Sequence, residues 1–284
     1  MPWDGLTPGP WVADLEKSDV CITLAGRSVN CRYHAANRRG ILESRVRSTG
    51  LLNSIITRLN PAPRLWINAT TATIYPQSLD RPMDEGTGEL GGNEPGAPDT
   101  GNFSIDVAKA WEEAFFSTPT PLTRKIAIRS AMTFSPDRGG IRHLLSLVRH
   151  GLGGPQGSGD QFVSWIHETD FCRAIDFLIE RTQLSGVVNV AAPDPLPNRE
   201  SLKILREAWG IRFGLAIGAW ILEIGTFLMR TESELVLERG RVVPGRLLAG
   251  GSRFCFPEWA KAAKDLVAGW RELGGREAPA PHQG

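Results

Sequence analysis

Residues 151–167, GLGGPQGSGDQFVSWIH, gather five glycines within nine positions and end on Trp165 and His167, with Asp170 shortly after. A glycine-rich turn cradles phosphate when it carries a strand directly into a helix N-terminus, where backbone N–H groups and the helix dipole favour an anion. The context here differs. The spacing of IRHLLSLVRH predicts a helix before the glycines, the alternation in DQFVSWIH predicts a strand after them, and Pro155 falls inside the run. That argues against a primary phosphate loop. It leaves two readings: a connection needing positive-φ positions, or a loop closing over a substrate beside His167 and Asp170. His167 has the residue type of an acid or base, and equally of a hydrogen-bonded structural histidine. Asp170 is also placed to cap a helix. No His, Cys, Asp and Glu residues fall at metal-ligand spacing, so no metal is predicted, and the G-x-S-x-G turn of serine hydrolases is absent.

The elements that must position these residues alternate along the chain. VCITLAG (20–26), RLWINAT (64–70), KIAIRSAMTF (125–134) and GVVNVAA (186–192) are short apolar runs that predict strands buried on both faces. Helical spacing predicts helices over 36–59, 103–116, 141–150 and 168–182. This alternation gives an α/β fold with a mostly parallel, doubly wound sheet. After APDPLPN the pattern turns helical, over 198–209, 215–229 and 257–273, with a kink near Pro244. The expected organisation is therefore a sheet domain over 1–195, a smaller, mainly helical lobe over 196–273, and a disordered tail over 274–284. The Gly-, Pro- and acid-rich stretch 80–102 reads as a long surface loop bordering a site.

Composition removes several function classes. The 284 residues carry 32 basic and 31 acidic side chains, so no net field recruits nucleic acid or an anionic membrane. No apolar stretch reaches the ~20 residues that span a bilayer, and Phe213–Met229, broken by glycines and Glu223, reads as a buried helix. Cys21, Cys31, Cys172 and Cys255 form no CxxC pair and the N-terminus has no secretory pattern, which predicts reduced thiols in a cytoplasmic protein.

Several linked segments resemble one family. GLGGPQGSGDQFVSWIHETDFCRAIDFLIE, NATTATIYPQSLDRPMDE, IRSAMTFSPDRGG, VVNVAAPDPLPNRE and ERGRVVPGRLLAGGSRFCFPEWAKAAKDL are similar to successive parts of NAD-dependent epimerase/dehydratase-like proteins. These belong to the extended short-chain dehydrogenase/reductase superfamily and are often described as nucleoside-diphosphate-sugar epimerases with a small C-terminal domain of unknown function. The likeness runs from about Trp3 to Trp270. It implies a Rossmann-like sheet, NAD or NADP as cofactor, and a small polar or sugar-nucleotide-like substrate undergoing epimerisation, dehydration or reduction. It does not settle NAD against NADP.

The resemblance also assigns residues. Ala25, Gly26, Thr70, Arg129 and Ser130 match positions near the cofactor. Thr71, in ATTATIY, matches the hydroxyl that polarises the reacting oxygen, with Thr73 close by. Tyr75, Gly157, Gly159, Trp165 and Asp170 fall on the substrate side, and His167 matches a WIHxxD motif. Two family elements are not in the sequence. VCITLAG resembles the family's fourth strand, so the glycine-rich dinucleotide loop, about 60 residues of two βα units by their usual size, has no counterpart. The superfamily's Tyr-x-x-x-Lys pair is missing too: Tyr33 and Tyr75 lack Lys at i+4, and the matching helix offers Phe103, Ser104 or Ile105, with Lys109 near the lysine position. The expectation is an incomplete Rossmann-like domain, impaired in cofactor binding, with an exposed inner strand edge open to oligomerisation. The alternative is a non-catalytic remnant or a binding or scaffold module.

Overall fold

The computed structural model describes residues 3–76, 78–92, 99–137, 140–216 and 240–274. At its centre are four parallel strands, β1 (Val20–Thr23), β2 (Leu65–Thr71), β3 (Arg124–Ser130) and β7 (Gly186–Val190), in the order β1-β2-β3-β7. This is the doubly wound α/β arrangement read from the sequence. β2, β3 and β7 read as largely apolar runs because helices cover both faces, whereas Ile22 of the edge strand β1 is exposed. On one face, α2 (Ala35–Ile56) and α3 (Asp99–Phe116) pack Leu52, Ile56 and Phe115 onto Trp66 and Ala127. On the other, α5 (Glu168–Glu180) and α7 (Gly245–Ala249) bring Ala174, Leu178 and Leu247 against Leu65, Ile67, Ile128 and Val188. A short helix α1 (Val12–Glu16) precedes β1.

The expected strand 125–134 is two strands. It leaves the main sheet after Ser130, and β4 (Met132–Phe134) pairs instead with β6 (Trp165–His167). Between them runs α4 (Gly140–Arg149), and β5 (Phe162–Val163) pairs antiparallel with β8 (Leu196–Pro197). Beyond β8, α6 (Asn198–Trp209) and α8 (Trp259–Glu272) pack against one another. Their core draws Phe134, Ile141, Leu145 and Trp165 from the first half of the chain onto Leu202, Leu205, Trp259 and Leu266. The helical lobe is thus built around β4 and β6 as well as its own helices. The predicted helix 215–229 lies outside the described residues from 217 on, as does the predicted tail beyond Gly274. Among the described residues no helix is long and apolar enough to cross a membrane, and no cluster of metal-ligating side chains occurs.

Candidate functional site

In an open parallel sheet, ligands bind beyond the carboxyl ends of the strands. The ends of β2 and β3 bring the register partners Thr71 and Ser130 side by side on one face, and Thr70 and Arg129 side by side on the other. Thr71 lies at the last position of β2 and caps a 3₁₀ turn, Ala72–Ile74, accepting the Thr73 N–H at 3.2 Å; the two threonine Oγ1 atoms are 2.8 Å apart. Ser130 Oγ donates to the Ala131 carbonyl at 2.9 Å and lies 3.4 Å from Thr133 Oγ1. The result is a half-exposed hydroxyl cluster. Thr71 already accepts the Thr73 N–H; where it also accepts the Thr73 hydroxyl, its own proton is left for a ligand oxygen. Ser130 has given its proton away and has lone pairs to offer. One donor beside one acceptor suits a carbonyl or an alcohol.

Beneath this cluster, on the α3 face, lies a charged group that sequence reading missed. Glu112 of α3 accepts Arg129 Nε at 2.8 Å, Arg129 Nη2 at 2.7 Å and Thr70 Oγ1 at 3.1 Å. Arg129 Nη1 donates to Tyr75 Oη at 2.8 Å, and Tyr75 donates to Asn189 Oδ1 at 3.0 Å. All are buried, with exposures of 8% for Glu112, 6% for Arg129, 3% for Tyr75 and none for Asn189. Burial pushes the Tyr75 phenol above its ordinary pKa, against the pull of the adjacent Arg129. The signal for Glu112 was present in the sequence. It sits beside Trp111 and four residues after Ala108 on the buried stripe of α3, where a carboxylate needs a cation.

The remaining candidates lie elsewhere. His167 caps α5, its Nδ1 accepting the Thr169 N–H at 3.2 Å, which leaves the ring proton on Nε2. That nitrogen lies 3.2 Å from Asp265 of α8 without hydrogen-bond alignment, and the ring stacks on Phe256 at 4.0 Å. Trp165 is a core residue whose Nε1 donates to the Asp194 carbonyl at 3.0 Å. Asp170, in the first turn of α5, accepts the Cys255 and Phe256 N–H groups at 2.7 and 2.8 Å. These contacts fasten α5 to the segment leading into α8. Asp170→Ala, which strands both donors, is expected to cost about 2–3 kcal/mol in urea unfolding; a loss below roughly 0.5 kcal/mol would rule that fastening out.

Gly157 and Gly159 adopt φ of +59° and +72°, and a Cβ on Gly159 would meet Pro155 Cβ at 2.9 Å. Their loop is tied to α6: Arg199 N–H donates to the Gly159 carbonyl, Gln156 N–H to Asn198 Oδ1, and Asp160 pairs with Arg199. Gly154 and Leu215 are joined as well. The glycines therefore serve a tight connection from α4 to β5, laid on the start of α6. Lys109 places its ammonium against Gly92, where a Cβ would stand 3.1 Å from Nζ.

Ala25 and Gly26 follow β1, the edge strand among the described residues, and line a cavity of about 310 Å³ with Trp3, Gly5, Ser44 and Arg47. The Arg45 guanidinium already covers Gly26, 3.2 Å from where a Cβ would be, and donates to the Arg27 and Ile41 carbonyls. A dinucleotide needs a cradle of backbone N–H groups for its pyrophosphate, formed where a strand turns through glycines straight into a helix. No strand of the main sheet does so among the described residues. The described residues therefore hold no cradle that fits a pyrophosphate.

The chain matches no protein-family model. It is 32% identical over 272 residues to the bovine epimerase family protein SDR39U1, covering 94% of this chain and 87% of the bovine protein. It is 28% identical over 254 residues to the epimerase family protein SA0724 of Staphylococcus aureus, covering 88% and 79%. A crystal structure of the human epimerase family protein SDR39U1 (isoform 2) with NADPH superposes with a TM-score of 0.78 at 30% identity, over 92% of this chain and 88% of that one. A nucleoside-diphosphate sugar epimerase from Corynebacterium glutamicum aligns at a TM-score of 0.67 and 25% identity, over 98% and 54%.

Proposed function

The chain belongs to the epimerase family of NAD-dependent epimerase/dehydratase-like short-chain dehydrogenases/reductases, and from that premise we propose that the ends of β2 and β3 receive the reacting carbon–oxygen group of a small polar or sugar-nucleotide-like substrate. In this reading the protein is a nicotinamide-dependent epimerase, dehydratase or reductase. The observation that carries it is the juxtaposition of Thr71 and Ser130 across the β2–β3 register, at the carboxyl ends of the strands beyond which such ligands bind. Thr71 gives a hydrogen bond to the substrate oxygen and polarises it. Ser130 accepts from a neighbouring substrate hydroxyl and fixes the rotation of the reacting carbon. Arg129 and Glu112 lie on the opposite face of the sheet and keep the strand ends in register.

A second reading, a binding module that takes the substrate alone, is favoured by the missing fit to a pyrophosphate. Thermal-shift titrations with NADPH, NADH and UDP-N-acetylglucosamine separate the two. The enzyme reading expects a saturable rise in Tm with a nicotinamide dinucleotide, equivalent to about 2.7 kcal/mol at a hundredfold excess over Kd. It further expects Thr71→Val to abolish the rise with the nucleotide sugar while leaving the unliganded Tm within a few degrees. A rise with the nucleotide sugar alone selects the binding module. No rise with any of the three, from a protein that melts cooperatively, removes both.

A further inference from the structure

Glu112, Arg129, Tyr75 and Asn189 form a chain of buried groups that crosses the sheet ends and continues beyond them. Asn189 Oδ1 of β7 accepts from the Tyr75 hydroxyl, which also lies 3.2 Å from the Asp84 carbonyl; Asn189 donates from Nδ2 to the Val243 carbonyl at 3.0 Å and from its backbone N–H to Glu85 at 2.7 Å. The other Glu85 oxygen accepts the Arg246 N–H at 3.1 Å, and Met83 pairs with Val242 in an isolated parallel bridge. The ends of β2, β3 and β7 are thereby tied to the loop after Tyr75 and to the segment that begins α7. Arg129 enters this chain of contacts at Tyr75. Its guanidinium is planar, and the Glu112 carboxylate grips it in a fork through Nε and Nη2, which leaves Nη1 directed at the Tyr75 oxygen.

We propose that Glu112 is the positioning residue of the site: it aims Arg129, offsets part of its charge, and so holds Tyr75 as a neutral donor that binds the strand ends to segment 240–246. The proposal rests on reading the β2–β3 ends as the reacting end, but its central claim concerns the phenol and is tested without substrate or cofactor. The charged groups facing Tyr75 are Arg129 from β3, with Glu112 of α3 behind it, and Glu85 from its own loop. Arg129 favours phenolate; Glu85 and burial oppose it. With Glu112 in place, the carboxylate behind the guanidinium offsets part of that pull. With glutamine there, the full field of Arg129 falls on the buried phenol.

The chain has two tyrosines, so in a Tyr33→Phe background the tyrosinate absorbance near 295 nm reports Tyr75 alone. In that background the phenol is expected to ionise only as the protein unfolds in alkali, followed in parallel by circular dichroism. Adding Glu112→Gln is expected to lower the midpoint by about one to three pH units, into the range where the protein is still folded. Glu112→Asp, which keeps the charge, should restore the high midpoint. An unchanged midpoint in folded Glu112→Gln would overturn the proposal. If that variant does not fold, the neutral double variant Glu112→Gln/Arg129→Met decides: with no cation left beside it, its phenol should ionise only with unfolding, as in the parent. Ionisation of the phenol while that double variant is still folded would overturn the proposal as well. Failure of the ligand titrations would remove the functional reading and leave the Tyr75 result standing.

Discussion

Trp259→Ala is expected to lower the free energy of unfolding by about 3–5 kcal/mol, at the upper end for a single substitution. Trp259 opens α8 and is 1% exposed. Its indole lies 4.8 Å from Trp165 of β6 and 5.4 Å from Phe134 of β4, and its Nε1 donates to the Ser201 carbonyl of α6 at 2.9 Å. One side chain thus joins the small β4–β6 sheet, α6 and α8. Removing it leaves a large cavity between rings that cannot collapse onto one another, and an unpaired carbonyl. Trp259→Phe separates the two contributions, since it keeps most of the volume and loses the hydrogen bond, at roughly 1–3 kcal/mol. Urea unfolding followed by far-ultraviolet circular dichroism measures both. A loss below about 1 kcal/mol for the alanine variant would mean that the helical lobe unfolds separately from the sheet. The functional stake is that α8 also brings Asp265 to His167.

The same lobe shows where sequence reading runs out. LWINAT, KIAIRS and GVVNV are recognisable as strands because their middle residues are buried on both faces and mostly apolar; VCIT, at the edge, shares the composition although Ile22 is exposed. The departure of the chain from the main sheet at Ala131 leaves no such trace. Ala131 and Met132 are as apolar as their neighbours, and what moves β4 away is pairing with β6, some thirty residues on. His167, Asp170 and the glycines of 151–159 look catalytic in one dimension because polar and glycine residues cluster there. In three dimensions His167 and Asp170 meet the segment around Phe256, and the glycines meet α6. The reverse holds for Glu112, Arg129 and Asn189. Each is a polar residue on a buried helix face or among the buried positions of a strand, legible as an anomaly but without a partner until the fold supplies one. A carboxylate on a buried helix stripe and an arginine at the end of a buried strand, in adjacent elements, were a pair that charge arithmetic could have proposed.

That pair carries the other large effect. Glu112→Gln should cost about 3–5 kcal/mol, because it leaves a guanidinium buried without its anion. Arg129→Met should cost a similar amount, leaving the carboxylate buried against Thr70 alone. The double replacement Glu112→Gln/Arg129→Met removes both charges and nearly preserves volume, so it should be far milder than the sum of the single losses. The expected coupling is roughly 2–3 kcal/mol. The argument is one of desolvation. Each ion alone pays the full cost of leaving water, while the neutral pair pays almost none. Additive losses in the double-mutant cycle would show that Glu112 and Arg129 act independently. Strong coupling would show that they form one unit, which is also what their hold on Tyr75 requires. A unit that adds little net stability over a neutral pair, yet collapses when halved, has its use in geometry: it fixes the ends of β2 and β3, and with them the separation of Thr71 from Ser130.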